Sequence, residues 1–249
     1  MPSLADELRW CDYPSHPAPA RVRLTVMADE PCPYLPARAA THRAVYVAGD
    51  LPPDAYRAFM DRGFRRSGRV VYQPVCRGCR VCVPLRVPVA TFVPSKSQRR
   101  IDRRNADLRV SVGPPRPTRD KFDLYARYVR DWHGHTDAPR WDAFVAFLYD
   151  SPTGTVEFTY VDPRGAIVAV ALCDVSPATV SSVYVYWDPA ERRRGLGTYT
   201  ALRELAWARD RGAAHYYLGY WVHGCGQMEY KATYRPCELL DADGVWRPM

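Results

Sequence analysis

Hydrophobic and polar positions along this chain change period several times, and each change predicts an element. Arg21–Met27 alternates polar and apolar residues, the period-two signature of a strand, and His42–Val47 predicts a second short one. Asp54–Arg62 follows two prolines and stops at Gly63, which predicts a helix. Gly63–Gly68 reads as a turn carrying adjacent Arg65 and Arg66; Val70–Gln73 and Val81–Val89 read as strands around a cysteine knuckle. Ser95 stands three residues before Gln98, a capping box that starts a helix. Beyond Gly113–Pro117, apolar residues return at helical spacing in Lys121–Trp132 and Trp141–Tyr149. Thr155–Val161 and Ala166–Cys173 flank a turn as a hairpin, and Ser181–Trp187 is a further strand. Gly195–Arg211 is an amphipathic helix closed by Gly212. Tyr216–Trp221 reads as a strand, and Met228–Tyr234 as a short helix before Pro236.

Residues 1–20 are rich in Pro and Ala and poorly patterned, so a loosely held arm is expected there; Cys32–Pro36 is too proline-rich for a helix or a central strand. The Gly113–Pro117 run (GPPRP) is the best linker. The chain therefore reads as α/β (α+β) in two parts, a basic, cysteine-containing domain over 1–112 and a second domain over 118–249.

Composition sharpens this picture at one place. The chain has 249 residues, 47% of them hydrophobic, enough for a substantial core. Its net charge of +8 is concentrated: Arg62–Arg109 holds thirteen Arg or Lys against two acids, Asp102 and Asp107. Such a patch suits a polyanion, whose condensed counterions are released as its phosphates are neutralised. On the helix begun by Ser95, Arg99 and Arg103 lie four apart, as do Arg100 and Arg104, making one cationic stripe. No apolar run is long enough to span a membrane, and no signal peptide opens the chain, so a cytoplasmic protein is expected. Its eight cysteines should then be reduced thiols or metal ligands.

Two stretches carry candidate chemistry. Arg192-x-x-Gly195-x-Gly197 falls between a strand and the opening of a helix, where glycines let main-chain N–H groups approach a phosphate. In that context it resembles the pyrophosphate loop of the GNAT superfamily of N-acetyltransferases. Cys76-x-x-Cys79-x-x-Cys82, with Cys32, could supply four sulfur ligands to zinc or an iron–sulfur cluster. The same thiols could instead pack a wall of a pocket.

Five motifs in order then carry a specific resemblance: Cys32-Pro33-Tyr34-Leu35-Pro36, GFRRSG at 63–68, the cysteine knuckle, SKSQRR at 95–100, and YYLGYWVHGCGQMEYKATYRP at 216–236. Together they resemble the bacterial aspartate/glutamate leucyltransferases, relatives of the eukaryotic arginyl-tRNA–protein transferases. The resemblance implies a GNAT-like acyltransferase domain in the second part. It implies transfer of leucine from leucyl-tRNA to the α-amine of proteins beginning with Asp or Glu, a step of N-end rule degradation. An arginyl-tRNA–protein transferase or a coenzyme A-dependent N-acetyltransferase is the alternative. The transfer itself needs no cofactor, and a monomer is expected. The eukaryotic cysteine pattern is not fully kept, since Leu35 stands where a second cysteine is expected.

An α-amine has a pKa of about 7.7–8, so positioning and oxyanion donors matter more than a strong base. Tyr220 and Tyr230 are candidate donors, and Glu229 and Lys231 could orient the amine or move its proton. Arg65, Arg66, Arg86 and Lys96, with Tyr34, are candidates for the acidic N-terminus. Arg99, Arg100, Arg103, Arg104, Arg192, Arg194, Gly195 and Gly197 are assigned to tRNA.

Overall fold

The computed structural model describes residues 10–14, 19–36 and 38–249. Its centre is an eight-stranded sheet in the order Arg109–Gly113, Thr155–Val161, Ile167–Ser176, Thr179–Trp187, His215–Val222, Cys82–Pro88, Glu238–Leu240, Trp246–Pro248. Every neighbouring pair is antiparallel except Thr179–Trp187 with His215–Val222, which run parallel. Ile167–Ser176 is a nearly unbroken apolar run because both of its faces are covered. The helix Arg119–Asp131 packs its Tyr125 on Tyr184 and Tyr186, whereas the helix Leu196–Asp210 packs Tyr199 and Trp207 on Tyr160 and Phe158. Tyr186 pairs with Val170 and Phe158 with Ala171, so alternation along the strand puts the two helices on opposite faces. Trp141–Phe144 continues into the wider turn Val145–Tyr149, giving the second predicted helix two windings.

A smaller four-stranded sheet holds Thr25–Val26, His42–Tyr46, Val70–Pro74 and Arg65–Ser67, with the helix Pro53–Asp61 closing a core of Leu24, Phe59, Phe64 and Val71. Two expectations change here. The Gly63–Gly68 stretch is not a turn throughout: Arg65–Ser67 is a strand, and only Gly68–Arg69 reverses the chain. Gly68 has φ of 55°, and a Cβ on it would meet the Ala146 carbonyl at 2.4 Å, so glycine is required where this hairpin docks on the larger sheet's helical layer. The expected arm falls largely outside the described residues (1–9 and 15–18), while Trp10–Pro14 and Pro19–Arg23 pair as antiparallel strands.

The main sheet also crosses the linker. Arg109–Gly113 is its edge strand, and Cys82–Pro88 sits inside it beside His215–Val222. Ser95 caps the helix Lys96–Arg104 through the expected reciprocal box with Gln98.

Candidate active site

The parallel pair is short. Only Thr179, Val180 and Ser181 register with His215, Tyr216 and Tyr217. Immediately afterwards each strand bulges against its outer neighbour. Val183 is extra between Ser182 and Tyr184, which pair with Cys173 and Leu172. Leu218 is extra between Tyr217 and Gly219, which pair with Arg86 and Leu85. Bulges bend a strand, and two at this level let the partners diverge into a cleft lined by main-chain groups that have lost their ladder.

Two cations from elsewhere take up those groups. Arg65 Nη1 donates to Ser181 Oγ at 2.6 Å and Nη2 to the Ser182 carbonyl. Lys231 Nζ, buried, donates to the Tyr220 carbonyl at 3.0 Å. Gly219 lies between them at φ of 85°, and a Cβ there would stand 3.4 Å from both Arg65 Nε and Lys231 Nζ. The bare glycine is what lets both charges approach one point. Burial, and then the neighbouring Arg65 charge, pull the Lys231 ammonium down to about 7, so it exchanges a proton near neutrality. Among the described residues no carboxylate forms an ion pair with Arg65. Burial, then the nearby Tyr72 and Cys82, raise the phenol of Tyr34 in the Cys32–Pro36 loop, and Arg65 opposes them.

Sequence reasoning missed Glu204. It is fully buried on the Leu196–Asp210 helix, where Oε2 accepts from the Tyr216 hydroxyl at 2.6 Å and Oε1 has no hydrogen-bond partner among the described residues. Burial pushes this carboxyl up to about 7 against the opposing pull of Tyr216, then of the nearby Cys173 and Ser182 side chains and of Arg65. The available signal was spacing: Leu196, Thr200, Glu204 and Ala208 form one i, i+4 stripe, and all four are buried.

Several expected residues are engaged elsewhere. Arg66, on the opposite face of its strand from Arg65, makes a bidentate pair with Asp174 at 2.6 and 2.6 Å with both side chains 0% exposed; it is structural glue and not a substrate ligand. Arg86 is held by Glu238 at 2.6 Å and Asp61 at 3.3 Å over the Trp246 ring. The Tyr220 hydroxyl is spent on the Gly63 carbonyl at 2.8 Å, so that residue offers its main chain and not its phenol. Glu229 accepts from Gly224 N at 2.8 Å and pairs with His223 at 3.1 Å, closing a surface turn. Tyr230 is 40% exposed beside Tyr234; desolvation of its hydroxyl, then Glu204, raise its phenol to about 12, so it stays a hydrogen-bond donor. Lys96 is exposed in the first turn of the arginine helix.

The expected four-sulfur site is not formed: among the described residues no three His, Cys, Asp or Glu side chains are placed to hold a metal ion. Cys76 Sγ instead accepts from Thr41 N at 3.4 Å and Cys32 Sγ from Leu35 N at 3.4 Å. Burial, then the nearby Cys76, Cys32 and Cys79, push the Cys82 thiol up to about 12. As they are placed, the described thiols do not form a zinc or iron–sulfur site.

The two halves of the expected phosphate face do come together. Arg104 donates to the Arg193 carbonyl, and buried Asn105 donates to that of Arg194 at 2.9 Å. The Ile101 side chain packs where a Gly195 Cβ would reach it at 3.4 Å. At its other end the same helix donates from Gln98 to the Thr233 carbonyl, 3.4 Å away, beside Lys231. Arg99, Arg100, Arg103, Arg104 and Arg192 are exposed. Arg104, Arg193 and Arg194 line a shallow cleft, although Arg194 is clamped by Asp107 at 2.9 and 3.0 Å. Gly195 takes φ of 69° to start the Leu196–Asp210 helix, which has no side-chain cap.

A splayed parallel pair, a glycine start to the following helix and helices on both sheet faces define a mixed α/β fold built on one sheet. The structure of L-PGS from Bacillus licheniformis superimposes with a TM-score of 0.51 at 12% identity, covering 90% of this chain and 82% of that one. A C-terminal domain of a putative lysylphosphatidylglycerol synthetase from Agrobacterium fabrum gives 0.51 at 13%, covering 82% and 65%. Residues 30–100 match the family "Arginine-tRNA-protein transferase, N terminus", and residues 120–241 match "Arginine-tRNA-protein transferase, C terminus". The aspartate/glutamate leucyltransferase of Pseudomonas fluorescens (strain SBW25) is 40% identical over 224 residues, 89% of this chain and 94% of its own length. That of Pseudomonas syringae pv. tomato is also 40% identical, with the same coverage. The chain belongs to the aspartate/glutamate leucyltransferase family of aminoacyl-tRNA–protein transferases.

Proposed function

We propose that this transferase moves leucine from leucyl-tRNA to the α-amine of proteins beginning with Asp or Glu, marking them for N-end rule degradation. The observation that carries the reading is the pair of cations at Gly219. Arg65 is a guanidinium fork without a carboxylate partner among the described residues, suited to an acidic side chain. Lys231 loses its proton near pH 7 and can take one from the incoming ammonium. The freed amine attacks the leucyl ester carbonyl; the Tyr230 hydroxyl donates to the developing oxyanion. The C–N bond forms and the C–O bond to the terminal ribose breaks; the second proton lost by the nitrogen passes to that ribose oxygen, and Lys231 sheds the first to solvent. The ester is already activated, so no cofactor is invoked.

In this scheme Tyr34 flanks the acceptor, and Arg99, Arg100, Arg103, Arg104 and Arg192 hold tRNA phosphates near Gly195 and Gly197. The part N-terminal to Gly113 thus contributes recognition, and the remainder contributes the cleft. No helix among the described residues is long and apolar enough to cross a membrane; we place the enzyme in the cytoplasm as a monomer.

The test offers purified protein leucyl-tRNA, arginyl-tRNA and acetyl-coenzyme A, with peptides that differ only in a first residue of Asp, Glu or Ala. Leucine should appear on the Asp and Glu peptides only. Arginine or acetyl transfer without leucine transfer overturns the proposal.

A further inference from the structure

Trp132 closes the helix Arg119–Asp131 and is 47% exposed, unusual for the largest apolar side chain. It is not loose. Its ring stands 4.7 Å from Trp187 at 58°, and Trp187, 8% exposed, is backed by Tyr128 at 5.5 Å. Tyr128 in turn meets His133 edge-on at 4.9 Å. Trp187, backed by Tyr128 and through it by His133, thus props the part-exposed indole of Trp132.

The position of this platform is what identifies its ligand. Trp187 is the last residue of the splaying strand, and a Gly197 Cβ would lie 3.7 Å from its indole nitrogen, at the glycine start of the next helix. The next residue, Asp188, caps the Pro189–Arg194 turn and pairs with Arg127, which leads directly into the arginine-lined cleft of Arg104, Arg193 and Arg194. An aromatic face, cations for phosphate and an acyl-transfer cleft lie in succession. An unpaired nucleotide esterified through its ribose presents the matching groups in the same succession.

Resting on the leucyl-tRNA reading above, we infer that Trp132, propped by Trp187, is the stacking platform for the terminal purine of the charged tRNA. Stacking on one aromatic side chain changes affinity by about tenfold or more when the ring is removed. Trp132→Leu should therefore raise KM for leucyl-tRNA about tenfold, with kcat and the KM for an Asp-initiated peptide within about twofold. Trp132→Phe, which keeps a ring, should stay near wild type.

The direct probe is the stable amide 3′-leucylamido-3′-deoxyadenosine, with its uridine analogue as control. The adenosine compound should quench tryptophan emission of the wild type, lose that quenching in Trp132→Phe, and bind about tenfold more weakly to Trp132→Leu. Unchanged probe affinity in Trp132→Leu, or equal binding of the uridine analogue, overturns the inference while leucine transfer can still stand. A rise in the peptide KM alone would assign the platform to the acceptor and likewise overturn it. Absence of leucine transfer by the wild type would instead remove the function, and probe quenching would still decide the platform.

Discussion

The protein holds positive charge in two regions that differ in almost every physical respect. On the Lys96–Arg104 helix, Arg99, Arg100, Arg103 and Arg104 are exposed and crowd one another. Water and salt screen them, so each contributes a small, interchangeable share to binding a polyanion. At the splay, Arg65 and Lys231 are tied to main-chain carbonyls around Gly219, where screening is weak. In the proposed function the dense, exposed charge gathers the tRNA, and the buried charge acts at the reacting groups.

That contrast can be broken by substitution. The largest effect should come from Lys231→Met, which leaves no group to accept the amine's proton; kcat should fall about 10²- to 10⁴-fold in single-turnover transfer. A loss confined to KM would remove Lys231 from the chemistry. Arg66→Ala leaves Asp174 charged and buried, and should cost about 3–5 kcal/mol in urea unfolding, while activity per folded molecule changes little. Arg65→Ala should raise KM for Asp- and Glu-initiated peptides about tenfold to a hundredfold, the worth of charge-assisted hydrogen bonds, and leave KM for leucyl-tRNA nearly unchanged. Equal effects on both substrates would erase the distinction between the two regions. The smallest effect belongs to Arg99→Ala with Arg103→Ala: tRNA affinity should weaken modestly, and the slope of log K against log salt should shrink by roughly 0.9 for each lost duplex phosphate contact.

Lys231 and Glu204 also predict opposite pH dependences. Folded Lys231 releases its proton near 7 and the unfolded side chain only near about 10.4, so the unfolded state binds more protons between these values and stability rises with pH there. Folded Glu204 keeps its proton up to about 7 but unfolded only to about 4.3, so stability falls as pH rises across that lower window. Urea midpoints against pH should flatten on the alkaline limb in Lys231→Met and on the acid limb in Glu204→Gln. Transfer activity should climb as pH rises through about 7, when Lys231 becomes neutral.

Much of this was legible in the sequence. The capping box at Ser95, the arginine stripe and the glycine start at Gly195 are local patterns with local causes, and they stand where expected. What period and composition could not separate was the pair Arg65 and Arg66. Flanking glycines suggested a turn, but a strand sends neighbours to opposite faces, one to the cleft and one to Asp174. Arg86 and Glu229 were likewise claimed by partners far away in the chain or across a turn. The cysteine spacing suggested a metal because three sulfurs were close in sequence; among the described residues no metal-holding group is formed, and Cys76 and Cys32 accept from main-chain N–H groups. Glu204 was hidden by its own helix, where an acid beside Arg203 looks like surface until the i, i+4 stripe is counted.

Cys82–Pro88 lies between His215–Val222 and Glu238–Leu240, so its removal would expose two strand edges at once. The halves of the chain are therefore not cassettes. Neither residues 118–249 nor the cysteine-rich part completes this sheet alone, so cutting the chain between them would leave both with unpaired strand edges.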